Sequence, residues 1–280
     1  QSWNTFLQVS GSLANVKDFQ EILKSGRESA GSVSMKNFKH KITLENVSFN
    51  YGQIKILNDI HLEINKNESI AFVGESGSGK TTIINLIAGL LPANNGRIDI
   101  DDINIDDLIK KTYQDRIGYV SQDAEIFNDT IYNNVSFWTE KTDENLAKFE
   151  EAIRQSALKS FIDELPDKEE TLLGNNGINL SGGQKQRVSI ARELFKDIDL
   201  LILDEATSAL DSETEKEIQQ SIDALQGKYT LLIVAHRLST VRNVDRVILM
   251  EKGQIVDMDS FESLVKRNVK FKRMVELQEI

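Results

Sequence analysis

The sequence predicts an α/β fold built on a mixed, largely parallel sheet, and three observations lead to that class. A short apolar run at 71–73 breaks into a glycine-rich loop and then into a helical pattern. Two later apolar runs, 200–203 and 231–235, are continuous, which is typical of strands covered on both faces of a parallel sheet. Alternating segments at 42–49 and 60–64 indicate an antiparallel strand pair ahead of this core.

The glycine-rich loop carries a complete phosphate-binding signature, the P-loop. Gly74, Gly79, Lys80 and Thr81 stand at the spacing of that motif, between a strand and a helix. Glycines let backbone N–H groups converge on one point, and the helix start adds its positive end, so a polyphosphate fits there. The alternative is a chance glycine turn, which the correct flanks disfavour. The nucleotide-binding residues predicted in this stretch are Gly74, Glu75, Ser76, Gly77, Ser78, Gly79, Lys80, Thr81 and Thr82.

A chelated triphosphate needs both charge neutralisation and a metal held in place. Lys80 is placed to reach the terminal phosphates, and the Thr81 hydroxyl is placed to join a Mg²⁺ shell. The sequence therefore predicts a triphosphate and Mg²⁺ as ligands of this loop.

Composition limits the other classes of function. The chain has 280 residues, of which 40% are hydrophobic, enough for a sizeable core in one large domain or two small ones. A formal net charge of -11 argues against nucleic acid or anionic lipid as a non-specific partner. The lack of cysteine excludes disulfides and thiolate metal sites. No apolar run approaches the ~18 residues of a membrane span.

The first 38 residues are predicted to be a leader and a linker. Apolar residues recur at helical spacing through 1–25, which indicates an amphipathic helix. Residues 24–37 are rich in Gly, Ser, Lys and Glu, so we expect a solvated linker, with the main domain at 39–280. Because the chain begins at Gln1 without Met or a leader peptide, we expect it to be a fragment of a longer protein.

Local patterns predict further elements of the main domain. Asn67 in the turn at 65–67 is a residue type that tolerates positive φ. The acidic residues at 101–107 are expected to be solvated surface. Strands are predicted at 98–100 and 117–120, helices interrupted near Ser160 across 143–165, and a hairpin at 247–256 before a helix that Ser260 opens.

A second helix start with free backbone N–H groups follows Leu180. Ser181 and Gln184 stand at capping-box spacing ahead of a helix that runs to Phe195. Gly182 and Gly183 leave backbone N–H groups open to a phosphate, so this stretch is a second candidate anion site. An ordinary capped helix start is the alternative.

Polar residues at the ends of two predicted strands are candidates for metal binding, catalysis and phosphate contact. Asp204 can hold Mg²⁺ through water, and Glu205 is placed to accept a proton from an attacking water. His236 ends the next strand, where a hydrogen bond to a γ-phosphate would be natural, although a lone histidine is usually structural.

In order and spacing, these residues resemble the nucleotide-binding domain of an ABC transporter. The matching motifs are Tyr51, GESGSGKT, Gln122, LSGGQ, LLILDE, SALD at 208–211, and His236. The stretch QDAEIFNDTIYNNV at 122–135 is similar to the exporter branch of the family. The leader is similar to the cytoplasmic end of an exporter's last membrane helix.

This resemblance implies a P-loop NTPase core with an antiparallel β subdomain and a helical subdomain near 138–195. It implies a head-to-tail dimer with a second copy that sandwiches ATP, a membrane-spanning domain in the same polypeptide, and a position on the cytoplasmic face of the cell membrane. The domain would power export or flipping of a substrate. Nucleic acid is not an expected partner.

The resemblance also implies a role for each matching residue. Tyr51 would stack on adenine, Gln122 would link the metal to the membrane domain, and Asp211 would contact the other subunit. The nucleotide-binding set then adds Tyr51, Ser181, Gly182, Gly183, Gln184 and Asp211; the metal set is Thr81, Gln122 and Asp204; the catalytic set is Glu205, His236 and Gln122.

Two departures from the family pattern and two alternatives remain, and the first departure is the short segment after Tyr51. Exporters usually carry an acidic residue where this chain has Asn175, which bears on how that loop meets the membrane domain. A soluble ABC ATPase of translation or DNA repair is one alternative, but neither a second cassette nor a long coiled coil is visible. A kinase or GTPase is another, but the guanine-reading NKxD motif does not occur.

Overall fold

A computed structural model describes residues 31–206, 212–235 and 237–278, with the backbone alone at 212–214 and 239. The predicted amphipathic helix at 1–25 lies outside these residues. The strands are β1 Lys41–Tyr51, β2 Ile54–Asn65, β3 Ser69–Val73, β4 Asn95–Ile100, β5 Ile103–Asn104, β6 Ile117–Val120, β7 Leu200–Asp204, β8 Thr230–Val234, β9 Arg246–Glu251 and β10 Gln254–Asp259. The α-helices are α1 Lys80–Ile87, α2 Lys110–Gln114, α3 Ile131–Ser136, α4 Asp143–Gln155, α5 Lys159–Asp163, α6 Gly182–Phe195, α7 Ser212–Asp223, α8 Phe261–Arg267 and α9 Val269–Gln278.

A six-stranded mixed sheet forms the centre of the fold, in the order β10-β9-β3-β8-β7-β6. Neighbouring strands from β9 through β6 pair in parallel, and β10 pairs antiparallel with β9. Ala71 and Val73 of β3 face one apolar cluster, while Ile70 and Phe72 face the other. This burial on both faces explains the continuous apolar runs and confirms the predicted α/β class.

A four-stranded antiparallel sheet, in the order β2-β1-β4-β5, covers one face of the central sheet. The predicted pairing of β1 with β2 is confirmed, with Leu44 opposite Leu62 and Ile42 opposite Ile64. Asn67 has φ 61, as its residue type predicts. The hairpin of β9 and β10 is also confirmed.

Helices cover the other face. Phe149 and Ile153 of α4 and Ile190 of α6 belong to the same apolar cluster as Ala71 and Val73 of β3, so these helices and the sheet share one core. Among the described residues, none of the helices combines the length and the apolar character that crossing a bilayer requires.

Two predicted helical segments differ in detail from the structure. The interruption expected near Ser160 lies at 156–158, because Ala157 adopts a left-handed φ of 54 and ends α4. The single C-terminal helix is two helices, since Asn268 leaves the helical region and its Oδ1 accepts the Phe271 N–H at 3.0 Å.

The end of the predicted leader and linker is only partly solvated, because two of its last four residues are buried while Lys36 and Asn37 are exposed. Met35 and Phe38 are buried, with 8% and 2% exposed surface. The Met35 N–H donates to Thr112 Oγ1 at 3.0 Å. The Phe38 N–H donates to Asp199 Oδ2 at 3.1 Å, an oxygen that also accepts from Arg116 Nε at 2.8 Å.

Asp101 corrects the expectation that the acidic stretch is only solvated surface. Its carboxylate accepts the backbone N–H groups of Lys39, His40 and Lys41 at 2.6, 2.7 and 3.0 Å. Asp101 follows β4 directly, so it ties the chain entering β1 to the turn between β4 and β5.

Candidate nucleotide-binding site

The P-loop follows β3 and leads into α1, as the sequence predicts. A Cβ on Gly74 would lie 2.2 Å from the Met250 carbonyl oxygen, and one on Gly79 would lie 2.6 Å from Leu57 Cδ2. Both glycines also have positive φ, 149 and 100. A larger residue therefore fits at neither position, and the loop packs directly against β9 and β2.

The other side of the loop is open. Nothing lies within 4 Å of where a Cβ on Gly77 would be, and Glu75 and Ser76 are exposed. Ser78 Oγ is buried and has no hydrogen-bond partner within the described residues. An open loop that leads into a helix start is a fit for phosphate oxygens, because backbone N–H groups and the positive end of the helix favour anions there.

Lys80 is buried at the base of this loop, with 5% of its surface exposed. Its Nζ donates to the carbonyl oxygens of Gly74 and Glu75, both at 3.0 Å. Burial lowers the pKa of Lys80, whereas the charges of Glu205 and Asp204 act in the opposite direction. The ammonium is thus held at the loop by backbone carbonyls.

Thr81 and Asp204, two of the predicted metal ligands, lie within hydrogen-bond distance of each other. Thr81 Oγ1 donates to Asp204 Oδ1 at 3.2 Å, which brings a hydroxyl of α1 to the carboxylate that ends β7. Mg²⁺ prefers oxygen ligands and takes one or two from protein beside water and phosphate. In the part of the chain that the structure describes, no group of three or more His, Cys, Asp or Glu forms a fuller protein cage. The donor set therefore fits Mg²⁺ bound with nucleotide.

Two residues that the sequence did not indicate complete this arrangement. The Tyr119 hydroxyl lies 2.9 Å from Asp204 Oδ2 and 3.2 Å from Asn85 Oδ1. Burial raises the pKa of Tyr119, and the Asp204 charge adds to it, so the phenol remains a proton donor. Asn85 follows Thr81 by one helical turn, a spacing that could have indicated it.

Glu205 stands where β7 ends. Its backbone has a left-handed φ of 55, and its N–H donates to the Val234 carbonyl of β8 at 3.1 Å. A non-glycine residue in this region is uncommon, and such conformations occur preferentially at functional sites. The turn fixes the direction of the chain beside Asp204.

The second candidate anion site forms the predicted capping box. Ser181 Oγ accepts the Gln184 N–H at 3.2 Å, and Gln184 Oε1 accepts the Ser181 N–H at 2.8 Å. Ser181 and Gly182 are exposed, whereas Gly183 is buried. The start of α6 is therefore accessible to a ligand.

Gln122 lies beside α6. With Gly182, Gln186 and Ala206, it lines one surface pocket. Within the described residues it makes no hydrogen bond to Thr81 or Asp204.

Tyr51 has half of its surface exposed and contacts Phe49 edge to face, with ring centroids 4.8 Å apart. Asp211 and His236 lie outside the described residues.

Comparison with known proteins assigns the family. The family model described as ABC transporter matches residues 57–208, a range that contains the P-loop, the capped start of α6 and the Asp204–Glu205 strand end. The chain belongs to the ABC transporter family.

Curated relatives of the chain are named ATP-dependent lipid A-core flippases. The ATP-dependent lipid A-core flippase of Desulfotalea psychrophila is 41% identical over 248 residues, which cover 88% of this chain and 43% of the relative. The flippase of Ralstonia nicotianae is 43% identical over 230 residues, or 81% of this chain and 39% of the relative. The chain thus spans about two fifths of the length of these relatives.

A solved structure gives the same assignment. The structure of a bacterial Atm1-family ABC exporter with ATP bound superimposes with a TM-score of 0.86 at 31% identity, over 97% of this chain and 48% of that one. The predicted resemblance to an exporter-type nucleotide-binding domain is confirmed, and so is the P-loop NTPase fold. Membership of this family implies ATP binding.

Proposed function

We propose that this chain binds and hydrolyses ATP and, through ATP-driven dimerisation, powers export or flipping of a substrate across a membrane. The observation that carries the proposal is the arrangement of its two phosphate sites. Lys80, Thr81 and Asp204 converge at the P-loop, whereas Ser181 and Gly182 present an exposed helix start elsewhere on the chain. An exposed helix start of this kind suits the phosphates of a nucleotide held by another copy.

In this proposal the P-loop residues 74–82 bind the phosphates through their backbone N–H groups and Lys80. Thr81, Asp204 and Gln122 would hold Mg²⁺. Bound Mg²⁺ neutralises phosphate charge and fixes the orientation of the phosphates. Glu205 takes the proton of the attacking water. His236 contacts the γ-phosphate, and Tyr51 stacks on the base.

The second copy completes each site. Its Ser181, Gly182, Gly183 and Gln184 close over the γ-phosphate, and its Asp211 contacts the facing subunit. Association costs about 4–15 kcal/mol of translational and rotational freedom, so the dimer of an isolated domain depends on the bridging nucleotide. We therefore expect slow hydrolysis by the isolated domain.

The membrane partner is proposed from the relatives. Because the chain spans about two fifths of the lipid A-core flippases, we infer a membrane-spanning domain in the same polypeptide and a position on the cytoplasmic face of the cell membrane. The names of these relatives favour an amphiphilic lipid as the substrate. We assign the ATPase domain to residues 39–280, with its helical subdomain near 138–195.

Replacing Glu205 by Gln tests the proposal. The substitution removes proton acceptance and keeps size, so turnover should fall by roughly 10²–10⁴ while binding survives. Glu205→Gln with ATP should then elute as a dimer in size-exclusion chromatography, whereas the unmodified chain with ADP elutes as a monomer. Ser181→Arg in the same background should abolish the dimer.

The matched control is Glu262→Gln, which changes an exposed carboxylate on α8. It should leave both turnover and elution unchanged. ATPase activity retained by Glu205→Gln, or a dimer that forms equally with ATP, ADP and no nucleotide, would overturn the proposal.

A further inference from the structure

The C-terminal helix reaches the P-loop through one lysine. Lys270 Nζ of α9 lies 3.3 Å from Glu75 Oε1 of the P-loop and 2.9 Å from Glu251 Oε1 at the end of β9. Lys270 and Met274 also line the pocket that Gly74 and the following P-loop residues form. One ammonium group therefore joins three elements that are distant in the sequence.

Glu75 is an unfavourable residue for a phosphate loop unless its charge is compensated. It follows Gly74 directly, and its side chain is 76% exposed. A carboxylate at the rim of a loop that receives a polyanion lowers affinity through like-charge repulsion. The cation paired with it in the described structure comes from α9.

The position of Lys270 is fixed by the helix that carries it. Phe271 and Val275 of α9 are buried in the core, with 0% and 7% exposed surface. The hydrogen bond with Glu251 raises the pKa of Lys270, so the ammonium is charged at neutral pH. The pair with Glu75 thus rests on an anchored backbone.

We propose that Lys270 is a positioning residue of the nucleotide site. It holds the Glu75 carboxylate on the side of α9 and offsets part of its charge, so the C-terminal helix raises the affinity of the P-loop for nucleotide. The inference rests on the proposed function, because it requires that the P-loop bind ATP.

A double-mutant cycle tests the coupling between the two residues. Binding of ATP that carries a methylanthraniloyl fluorophore is titrated for the unmodified chain, Lys270→Ala, Glu75→Gln and the double variant. Lys270→Ala should weaken binding about two- to fivefold at low salt, in the range of exposed charge pairs, and less at high salt. The double variant should bind as Glu75→Gln does, because the P-loop carboxylate on which Lys270 is proposed to act is absent from both.

Two further variants separate this role from a structural one. Lys270→Arg keeps the charge and should retain the affinity of the unmodified chain. Lys272→Ala removes an exposed lysine of the same helix, which pairs with Glu276 of α9 at 3.9 Å, and should leave the affinity unchanged. Thermal melting of each variant shows whether folding has changed.

Three results would overturn the inference. One is an unchanged affinity in Lys270→Ala, and another is an equal loss in Lys272→Ala. The third is the same loss from Lys270→Ala whether residue 75 is Glu or Gln. If the unmodified chain binds no nucleotide, the proposed function itself fails and the inference fails with it.

Discussion

The Tyr119 hydroxyl lies 2.9 Å from Oδ2 of Asp204, while Thr81 Oγ1 lies 3.2 Å from Oδ1 of the same carboxylate. Both oxygens of the proposed metal ligand are therefore oriented by hydroxyl groups, one from β6 and one from α1. Outer-shell hydrogen bonds of this kind set the direction and basicity of a ligating carboxylate. Tyr119 is thus expected to affect the metal without contacting nucleotide.

Tyr119→Phe should weaken the binding of Mg²⁺ with nucleotide by about 10–100-fold, the usual effect of losing an outer-shell partner. The ring remains, so packing of β6 is preserved. Isothermal titration of Mg²⁺ into the nucleotide-bound chain measures the change. Tyr113→Phe is the control, since that buried hydroxyl donates to the Ile87 carbonyl at 2.7 Å instead. Equal metal affinity in the two variants would contradict the role given to Tyr119.

Tyr51→Ala should weaken nucleotide binding by about 1–3 kcal/mol, the range for a base stacked on an aromatic ring. Because stacking is made equally in the ground and transition states, kcat should change little. Fluorescent-nucleotide titration and steady-state kinetics give the two quantities. Tyr51→Phe should bind as the unmodified chain does, and GTP should compete with ATP. An unchanged affinity in Tyr51→Ala would exclude the stacking role.

Asn134→Leu should lower the free energy of unfolding. The amide is fully buried, donates to the carbonyls of Thr130 and Phe127 at 2.9 and 3.0 Å, and accepts the Phe127 N–H at 2.8 Å. Leaving such partners unpaired costs about 1–3 kcal/mol for each group. Urea denaturation measures the loss. Asn145→Ala, at a partly exposed position of α4, should cost about 0.5 kcal/mol or less. Equal losses would show that burial of the amide is not the cause.

Removing residues 1–25 should change the melting temperature little, because the linker separates them from the first strand. Phe38→Ala should by contrast cost about 3–5 kcal/mol, as expected for a buried aromatic ring. Differential scanning calorimetry of both variants makes the comparison. A large fall on deletion of 1–25 would mean that the leader is an integral part of the domain.

The sequence predicts what depends on neighbouring residues. The flanks of the P-loop, the β1–β2 pair, the φ of Asn67 and the capping box of α6 each follow from a few consecutive side chains. Helices α2 and α3 were not predicted, because five or six residues are too few to show a 3.6-residue period.

Contacts between distant residues could not be predicted. Tyr119 and Asp204 are separated by 85 positions, and Lys39 and Asp101 by 62. The contact between Lys270 and Glu75 likewise depends on where α9 packs, which no local pattern encodes. Such long-range pairs account for the residues added to the predicted site and for the correction to the predicted acidic surface.

Asp199, the residue before strand β7, links this strand to the chain that enters the domain at Phe38. The Asp199 carboxylate accepts the Phe38 N–H, and four buried residues of the parallel-paired strand β7 then lead to Asp204. Such a strand spans about 17 Å and has little freedom to bend. The Asp199 carboxylate that binds the Phe38 N–H and the proposed metal ligand Asp204 therefore lie at opposite ends of one strand, so the backbone of β7 fixes the spacing between them.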